Sequence, residues 1–531
     1  MKNIFNRVNK YYLLLFLALI IFAFLILYIW KFTADDAYIS FRYALHLVQG
    51  YGLIWNINEP PIEGYTNFLW VLLSSIVIFL KLDPVIFTKI LGISSVIWIV
   101  FVYWVIAKDM FEDKKLIMQV FCISSILLLV NPATTIHAVS GLETMFYSLL
   151  ILINMFLAYK LILSANNRLF WLFACVSLIS SIVRPEGILI STGLFILIYI
   201  TALNKNDDIK NKINQCLPFI LGFIIPIGVY MLFRILYFHE LFPLPFLVKS
   251  VSMGGLFSGI DALGSAIKYI APFAIIIILY LLKNVELVSK KILNSKIGVL
   301  IITMCVTIFF ADVLYIFSFL LMNYVQRFYY PSFVIIYIVT AIFLVLLINE
   351  LKNTKLNELY NKKTSILGFL IVLLLLSSNL SFVLEVQGLH HSADRFSSSY
   401  IPLAHELSFV SYDNLTFASV DAGSLPYFSG WNHIDILGLN NKFIAKNGVG
   451  TEEYIEKNRP DLILFISTDN KTINSKEQVP FLEFAKKNGY IQLPSIKYLD
   501  NYYLVPFLDP KTKDFNKIKN SLEKVSKSSF N

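Results

Sequence analysis

The feature that most constrains this chain is a series of long, nearly uncharged apolar runs between residues 11 and 384. Most approach the roughly 20 residues that an α-helix needs to cross a bilayer, and 57% of the chain is hydrophobic, above the roughly 45–50% of soluble domains. Lipid offers the backbone no hydrogen-bond partner, so such runs must be helices. They predict a polytopic α-helical membrane protein with about 11–12 transmembrane helices, in the windows 11–30, 66–80, 90–107, 116–130, 144–163, 169–183, 188–203, 217–238, 266–282, 297–322, 331–349 and 366–384.

Basic residues lie mainly in short links between these runs, at the N-terminus, 108–115, Arg168, 204–212, 283–296 and 351–363. Such links are typically cytoplasmic, which predicts a cytoplasmic N-terminus and an outward C-terminus. The chain leaves the cytoplasm at Trp30 and returns by Lys108, so only one of the windows 66–80 and 90–107 can cross fully. We predict that 66–80 is re-entrant or lies on the surface, which leaves about eleven crossings. This scattered charge does not form the single basic face of a nucleic-acid partner.

The composition changes near residue 386, where the long apolar runs stop and charged residues return. We therefore predict a transmembrane domain over residues 1–385 and an extracytoplasmic α/β domain over 386–531. Within the second domain, strands are expected at Thr416–Val420, His433–Leu437 and Asp461–Ser467, helices at Thr451–Asn458 and Phe481–Asn488, and an amphipathic or loosely ordered tail at Asp509–Asn531.

The first outward loop begins with two adjacent carboxylates, Asp35 and Asp36. Read as a helix, the loop has a polar face shared by Arg42 and His46, which predicts an amphipathic helix on the outer membrane surface. In one interpretation an aspartate is simply the N-cap of this helix. In the other the pair is a catalytic site, because neighbouring carboxylates raise one another's pKa and one can serve as a general base. The pair could also hold a divalent cation, although the sequence has no zinc-ligand spacing.

Basic residues are scarce in the outward links, which makes Arg184, Lys249 and Arg327 candidates for a site. A charge near hydrocarbon is costly and usually has a partner or a role. Cations at this depth suit a lipid-linked phosphate, whose negative charge grows as it leaves. The alternative is that each of them only snorkels or sets orientation. Glu143 falls at the second outward turn, where it either supports the site or interacts with the helix dipole.

Several motifs, in order along the whole chain, resemble those of one enzyme group. They are Asp35-Asp36-Ala37-Tyr38-Ile39-Ser40-Phe41-Arg42, Glu63-Gly64-Tyr65-Thr66-Asn67, Ser140-Gly141-Leu142-Glu143, Arg184-Pro185-Glu186-Gly187, the stretch from His239 to Lys249, Arg327-Phe328, and Asp421-Ala422-Gly423 with Asp435 and Asn440. This set is similar to that of bacterial GT-C glycosyltransferases of the terminal arabinofuranosyltransferase and protein O-mannosyltransferase-like group. The aminoarabinose transferase of lipid A is a more distant relative of the same group.

The resemblance implies a GT-C fold with an active site at the outer face of the membrane and a C-terminal domain that helps to hold an acceptor glycan. It implies that Asp35 is the catalytic base, with Asp36 as the second candidate, and that Glu143 supports the site. Beside these, we assign donor-phosphate binding to Arg184, Lys249, Arg327 and Arg42, and supporting roles to Glu63 and His239. The chain departs from the family pattern in two places. Asn323 lies near the position where the family usually has an aspartate, and Pro243-Leu244-Pro245 replaces the usual Pro-Asn-Thr before the lysine. These departures leave the sugar unidentified.

The expected reaction moves a sugar, with inversion, from a polyprenyl-phosphate donor to a cell-envelope glycan, lipid or protein. It would occur on the extracytoplasmic side of a bacterial cytoplasmic (inner) membrane. A transporter or flippase for a lipid-linked sugar is the main alternative, and a glycan-binding subunit without activity is the third. Transporters usually place functional charges near the bilayer midplane, whereas the charges here collect at one face, which favours an enzyme.

Overall fold

The computed structural model describes residues 2–164, 166–203, 216–249, 259–283, 295–352, 379, 382–410 and 415–530. The predicted window 366–384 and the basic links 204–212, 283–296 and 351–363 lie largely outside these ranges. The helices of the first part are Lys2–Ile29, Asp35–Val48, Phe68–Phe79, Pro84–Met110, Lys114–Val130, Pro132–Val139, Thr144–Leu163, Asn167–Val183, Glu186–Ile198, Ile225–Phe238, Leu244–Leu247, Ile260–Lys283, Lys296–Asp312 and Tyr330–Lys352.

Seven helices among the described residues are long and apolar enough to span a membrane: Tyr11–Ile29, Pro84–Met110, Thr144–Leu163, Cys216–Phe238, Ile260–Leu282, Lys296–Phe317 and Tyr330–Asn349. An eighth span results if Lys114–Val130 and Pro132–Val139, bent by 65° at their junction, count as one. The chain is therefore a multi-pass membrane protein. The number of crossings stays a prediction, because three apolar helices are shorter and one window lies outside the described residues.

The helix Phe68–Phe79 has 12 residues, which gives a length of about 18 Å. The hydrocarbon core is about 30 Å thick, so this helix is too short to cross it alone. Its length agrees with the predicted re-entrant or surface segment. In the 18-residue apolar window of each helix, 83% of the residues are buried in Tyr330–Asn349 and 67% in Thr144–Leu163, whereas 17% are buried in Tyr11–Ile29 and in Cys216–Phe238. Apolar helices buried all round lie at the centre of a bundle, so the first two form its core.

The helix Asp35–Val48 differs from its prediction in two respects. Its N-cap is Ala34, which makes no side-chain capping bond, and the two aspartates occupy the first turn instead. The interpretation that one of them is the N-cap is therefore wrong. The predicted polar face is also not exposed to water, because Arg42 is 2% exposed and His46 is 6% exposed. The C-terminal domain covers Arg42 through Pro426 and Trp431, and the first loop itself covers His46 through Ile54, so the helix is packed between the two domains rather than free on the membrane surface.

The C-terminal domain is a six-stranded mixed sheet with helices on both faces. Its strands are β1 (Thr416–Ser419), β2 (Asn432–Asp435), β3 (Leu462–Ser467), β4 (Ile491–Gln492), β5 (Ile496–Leu499) and β6 (Tyr502–Leu508). The order is β2-β1-β3-β6-β4, with β5 also paired to β6; β1 is parallel to β2 and β3, and β6 is antiparallel to its neighbours. The helices are Ile401–Ser408, Ser424–Ser429, Lys442–Asn447, Glu452–Lys457, Val479–Lys487 and Phe515–Ser529.

The predicted strands correspond to β1, β2 and β3, and the predicted helices to Glu452–Lys457 and Val479–Lys487. Strands β4, β5 and β6 were not predicted. The tail is an ordered amphipathic helix, because Ile518, Leu522 and Val525 lie in the core of the domain. The predicted boundary at residue 386 falls inside the helix 382–395, which leads towards the second domain without an intervening loop, and the exact boundary stays a prediction.

Candidate active site

The acidic pair lies where the two loops that are predicted to be the first and second outward loops meet. The Ala34 backbone N–H donates to the Ser140 carbonyl over 2.9 Å. Gly141 beside it has a φ of +79°, and a Cβ there would lie 3.1 Å from side-chain carbons of Thr33 and Ala37. A left-handed conformation in this little space favours glycine. The motif Ser140-Gly141 thus holds the second loop directly against the start of the helix Asp35–Val48.

The Asp35 carboxylate faces the C-terminal domain. It accepts hydrogen bonds from the Gly423 N–H over 2.9 Å, from the Ser424 N–H over 2.9 Å and from the Ser424 hydroxyl over 2.8 Å. A side chain at position 423 would collide with Asp35, which explains the glycine in Asp421-Ala422-Gly423. Both oxygens of Asp35 are therefore used to attach the second domain.

The Asp36 carboxylate faces a different group of residues. It lines a small polar cavity of about 60 Å³ together with Ser40, Asn67, Glu143, Lys249 and Arg327. The Arg327 Nη1 donates to the Asp36 Oδ2 over 3.2 Å, and the Asp36 side chain remains 27% exposed. Of the two aspartates, the structure therefore places Asp36, and not Asp35, beside the cations.

Three cations surround one aromatic ring beside this cavity, and two of them, Lys249 and Arg327, line it. The guanidinium carbons of Arg184 and Arg327 lie 5.2 Å from the centre of the Phe328 ring, and the Lys249 ammonium lies 5.4 Å from it. A ring face attracts cations through its quadrupole. Phe328 thus holds three positive charges close together without neutralising them. The predicted phosphate-binding residues Arg184, Lys249 and Arg327 are indeed brought together.

Glu143 is the buried anion of this group. Its Oε1 lies 3.3 Å from the Arg184 Nε and 3.8 Å from the Arg327 Nη2, and its Oε2 accepts a hydrogen bond of 2.9 Å from the Asn67 side chain. Burial alone would raise the pKa of Glu143, but the two guanidinium groups outweigh burial and hold this pKa below its usual value. Glu143 is therefore charged and positions both arginines, in agreement with a supporting role.

Lys249 differs from the arginines because its ammonium group makes no hydrogen bond or ion pair within the described part of the chain. Burial lowers the pKa of Lys249 to about 8, although Asp36 acts in the opposite direction. A desolvated cation without an anion is the kind of group that binds an incoming phosphate. Its backbone carbonyl accepts a hydrogen bond of 3.0 Å from the Phe319 N–H, which holds the residue at the cavity.

The structure does not bring Arg42 to this cavity. Its guanidinium donates to the backbone carbonyls of Trp55, Pro426 and Trp431 and to the Asn56 side chain. Burial lowers the pKa of Arg42 to about 10, so the group is still charged at neutral pH. The prediction that Arg42 binds the donor phosphate is therefore corrected: the residue joins the first loop to the C-terminal domain.

The two predicted supporting residues Glu63 and His239 also lie outside the cavity. Glu63 forms a buried ion pair with Arg234 over 2.8 Å, which fixes the start of the segment that carries Gly64 and Asn67. His239 is exposed and ends the helix Ile225–Phe238 in a left-handed conformation, with a φ of 57°. Glu63 thus supports the site only by fixing its loop. Among the described residues, His239 makes no contact that supports the role predicted for it.

Asn67 and Ser40 belong to the site although neither is among the predicted site residues. Asn67 donates to Glu143 and its Oδ1 accepts a hydrogen bond of 3.1 Å from the Ser40 hydroxyl. The signal was present, because Asn67 ends one of the motifs that carry the family resemblance.

The two aspartates point to different partners, and the described residues contain no group of three or more His, Cys, Asp or Glu that could hold a metal ion. A divalent cation at the pair stays a prediction.

Attachment of the C-terminal domain through Asp35 is expected to weaken as pH rises. Burial and the nearby Asp421 raise the pKa of Asp35 to about 7, from about 3.9 in an unfolded chain. Such a carboxyl contributes stability that is fully present below the unfolded pKa and is lost as pH rises through the folded pKa. We therefore expect the thermal midpoint of the full-length protein in detergent to fall between about pH 4 and pH 7.

The variant Asp35→Asn isolates this contribution, because it removes the titrating group. Its midpoint should fall less steeply over the same pH range than that of the wild type. Burial also raises the pKa of Asp421. The midpoint of Asp35→Asn should therefore still fall as pH rises, but less than that of the wild type. A wild-type midpoint that rises with pH, or an identical slope in Asp35→Asn, would contradict the prediction.

Comparisons with known proteins agree with this architecture. Residues 405–517 match the family described as Domain of unknown function (DUF8728), which covers part of the C-terminal domain. No curated protein matches the sequence. Among solved structures, the crystal structure of ArnT from Cupriavidus metallidurans bound to undecaprenyl phosphate has a TM-score of 0.52 and 11% identity, and the match covers 94% of this chain and 98% of that chain. The apo state of the same protein has a TM-score of 0.49, with the same identity and coverage.

At 11% identity, this likeness shows the fold alone. ArnT is a GT-C glycosyltransferase, and the match extends over the membrane helices and the C-terminal sheet domain. The predicted fold class is thereby confirmed, whereas the narrower resemblance to arabinofuranosyl- and mannosyltransferases stays a prediction. The chain is a multi-pass membrane protein with the GT-C fold.

Proposed function

We propose that this protein is a membrane glycosyltransferase that takes a sugar from a polyprenyl-phosphate donor. The observation that carries the proposal is the cavity in which Asp36 lies beside Lys249 and Arg327, two of the three cations grouped around Phe328. The cations suit the phosphate of the donor, and the carboxylate suits an acceptor hydroxyl. The solved ArnT structure with undecaprenyl phosphate bound supports a lipid-linked donor.

The proposed site faces the outside of a bacterial cytoplasmic membrane, and the acceptor is a cell-envelope glycan, lipid or protein. The basic link 108–115 joins the C-terminal end of Pro84–Met110 to the N-terminal end of Lys114–Val130. The acidic pair lies at the opposite ends of these helices, because Lys89 contacts Trp30 and Ala34 contacts Ser140. Since basic links are typically cytoplasmic, this arrangement supports an outward site.

In the proposed reaction, Asp36 takes the proton of an acceptor hydroxyl as that oxygen attacks the anomeric carbon. A new bond forms between the anomeric carbon and the acceptor oxygen, and the bond to the phosphate oxygen breaks on the opposite face of the sugar, with inversion. The departing polyprenyl phosphate keeps the bonding electrons and gains a negative charge. Lys249 and Arg327 stabilise this charge, and Arg184 adds to the positive potential from its buried position.

Asp36 replaces Asp35 as the first candidate for the base. A general base must come within hydrogen-bond reach of the proton that it takes. The Asp35 oxygens already accept three hydrogen bonds from Gly423 and Ser424, whereas Asp36 is partly exposed in the cavity. Asp35 then acts by fixing the first turn of the helix against the second domain.

The proposal is tested with purified full-length protein, a small panel of synthetic polyprenyl-phosphate sugars and candidate envelope acceptors, with products identified by mass spectrometry. We expect a glycosylated acceptor and free polyprenyl phosphate from at least one donor. If the protein moves a donor between the leaflets of a liposome without forming either product, the transporter alternative replaces the proposal.

Lys249→Ala is expected to raise the KM for the donor by about tenfold to a hundredfold, because a hydrogen bond to a charged group contributes about 1.5–3 kcal/mol. Steady-state kinetics with varied donor at saturating acceptor measure this change. Lys249→Arg should recover part of the loss. Lys296→Ala is the matched control, because Lys296 bonds the Asp109 carbonyl over 2.7 Å far from the cavity. An unchanged donor KM in Lys249→Ala would mean that Lys249 does not bind the donor phosphate.

A further inference from the structure

The turn that leads into Arg327, residues 322–327, has an unusual backbone conformation. Met322, Val325 and Gln326 have φ values of 56°, 46° and 58°, in the left-handed region that residues other than glycine rarely adopt. A β-branched residue in this region is a genuine outlier, and the ψ of Val325 is 36°. A free chain of this sequence would avoid such a conformation, so contacts from outside the turn must hold it.

Two side chains from distant parts of the chain bind the backbone of Val325. Its N–H donates to the Glu385 Oε2 over 2.8 Å, and its carbonyl lies 3.1 Å from the His137 Nε2. A carbonyl oxygen only accepts, so the His137 Nε2 carries the proton and donates it. Val325 and His137 are both buried. Relaxation of the turn would therefore leave buried polar groups without partners, which is costly.

Glu385 is half-buried on the helix 382–395. Its second oxygen, Oε1, accepts a hydrogen bond of 3.4 Å from the Tyr269 hydroxyl, so the carboxylate is held from two sides. Glu385 does not belong to the lining of the polar cavity that contains Asp36. Among the described residues, its connection to that cavity is the bond to Val325.

The conformation of the turn determines where Arg327 lies. The Arg327 N–H donates to the Tyr324 carbonyl inside the turn over 3.1 Å, and its Nη1 donates to Asp36 over 3.2 Å. A return of Val325 to the usual negative φ would rotate the backbone by about 110°, two residues before Arg327. A misplacement of about 1 Å can already reduce the rate about 100-fold. The guanidinium would therefore leave both Asp36 and the donor phosphate.

We propose that Glu385 is a positioning residue for binding of the donor phosphate. It holds the turn 322–327 in the left-handed conformation that keeps Arg327 at the cavity, and His137 holds Val325 from the other side. The inference rests on the proposed function, which gives Arg327 its role, and it adds a residue outside the cavity. The Glu385 carboxylate does not touch the donor and acts on it only through the position of Arg327.

Glu385→Ala tests the proposal because it removes the acceptor of the Val325 N–H. Hydrogen–deuterium exchange of full-length protein in nanodiscs, read by mass spectrometry of peptides that span 322–329, measures opening of the turn. We expect exchange there to be about tenfold faster than in the wild type. Glu385→Gln keeps an oxygen that can accept the bond and should exchange nearly like the wild type. If Glu385→Ala does not fold, Glu385→Asp, whose carboxylate is one methylene shorter, replaces it.

Asp394→Ala is the matched control for these measurements. Asp394 lies on the same helix 382–395, and its carboxylate accepts a hydrogen bond of 2.9 Å from the exposed Lys31. The variant removes the same kind of group from the same helix without touching the turn. Exchange of the peptides 322–329 and the donor KM should both stay at the wild-type values.

Donor kinetics show whether the turn controls Arg327. Glu385→Ala should raise the donor KM about tenfold, because the hydrogen bonds of a displaced guanidinium to the phosphate are lost. The acceptor KM should not change, and Glu385→Gln should recover most of the donor KM. A general loss of stability would instead reduce the amount of active protein, and therefore the apparent kcat, without changing the donor KM.

A double-mutant cycle with Arg327→Ala identifies the path of the effect. If Glu385 acts through Arg327, Glu385→Ala adds nothing to the donor KM of Arg327→Ala, whereas independent effects would multiply. Val325→Gly provides a second test of the path. Glycine adopts the left-handed conformation without a steric penalty, so Val325→Gly should recover part of the donor KM that Glu385→Ala loses.

Three outcomes would overturn the proposal: unchanged exchange of the turn in the Glu385 variant, an unchanged donor KM in an active variant, or multiplied effects in the cycle. The exchange measurement needs no substrate. If the wild-type protein forms no product from any donor, the proposed transferase fails, and exchange still decides whether Glu385 holds the turn. The two proposals can therefore fail separately.

Discussion

Replacing Asp36 by asparagine should abolish sugar transfer and leave donor binding largely intact. Proton transfer by a positioned side chain typically contributes about 100- to 10,000-fold to the rate, and an amide cannot accept the proton. The side chain keeps its size, so the neighbouring Arg327 should stay at the cavity. Turnover is measured by mass spectrometry of products, and donor binding by competition with a labelled polyprenyl phosphate.

Asp35→Asn is the matched comparison, because it changes the adjacent carboxylate to the same amide. It removes an acceptor of hydrogen bonds from Gly423 and Ser424, so we expect lower thermal stability and a smaller loss of turnover than in Asp36→Asn. Near-normal transfer by a folded Asp36→Asn protein, with complete loss in Asp35→Asn, would return the role of base to Asp35.

Replacing Arg42 by alanine is expected to separate the C-terminal domain from the first loop. The guanidinium donates to three backbone carbonyls and to Asn56, and it lies 4.8 Å from the centre of the Trp55 ring. Hydrogen bonds to a charged group contribute about 1.5–3 kcal/mol each, and buried carbonyls left without a donor cost more. We therefore expect a loss of about 3 kcal/mol or more in the free energy of unfolding.

Thermal unfolding in detergent and limited proteolysis of the segment 421–431 measure this effect. Arg42→Lys should recover little, because an ammonium group cannot reach several carbonyls with the planar geometry of a guanidinium. Arg168→Ala is the control, because it removes the same charge from an exposed position. Equal midpoints for Arg42→Ala and the wild type would mean that this contact does not hold the domains together.

Much of the site could be predicted from the sequence because its residues obey a simple constraint. Arg184, Lys249 and Arg327 are isolated charges at those ends of apolar segments that are predicted to face outward, where a charge needs a partner or a role. Residues that lie at one face of a membrane have similar depths along the membrane normal. The grouping of these three cations around Phe328 therefore agrees with the expectation from their positions in the chain.

The roles of Asp35 and Arg42 could not be predicted in the same way. Successive residues of a helix point about 100° apart, so two adjacent aspartates face different neighbours, and the sequence does not say which neighbours these are. From the sequence, the helix face that carries Arg42 is predicted to be exposed to water. The segments that cover this face in the structure lie 384 residues or more further along the chain, so the local sequence gives no sign of them. The supporting role of His239 stays a prediction: the described structure shows an exposed residue whose left-handed backbone conformation ends a helix.

The attachment of Asp35 to Gly423 and Ser424 has a consequence for the biosynthesis of this protein. These partners are separated by 388 and 389 residues, and the second domain is synthesised last. A nascent chain carries both aspartates long before the segment that orders them has emerged. The first turn of the helix Asp35–Val48 therefore stays without its partners during membrane insertion and is fixed only when the last domain of the chain has folded.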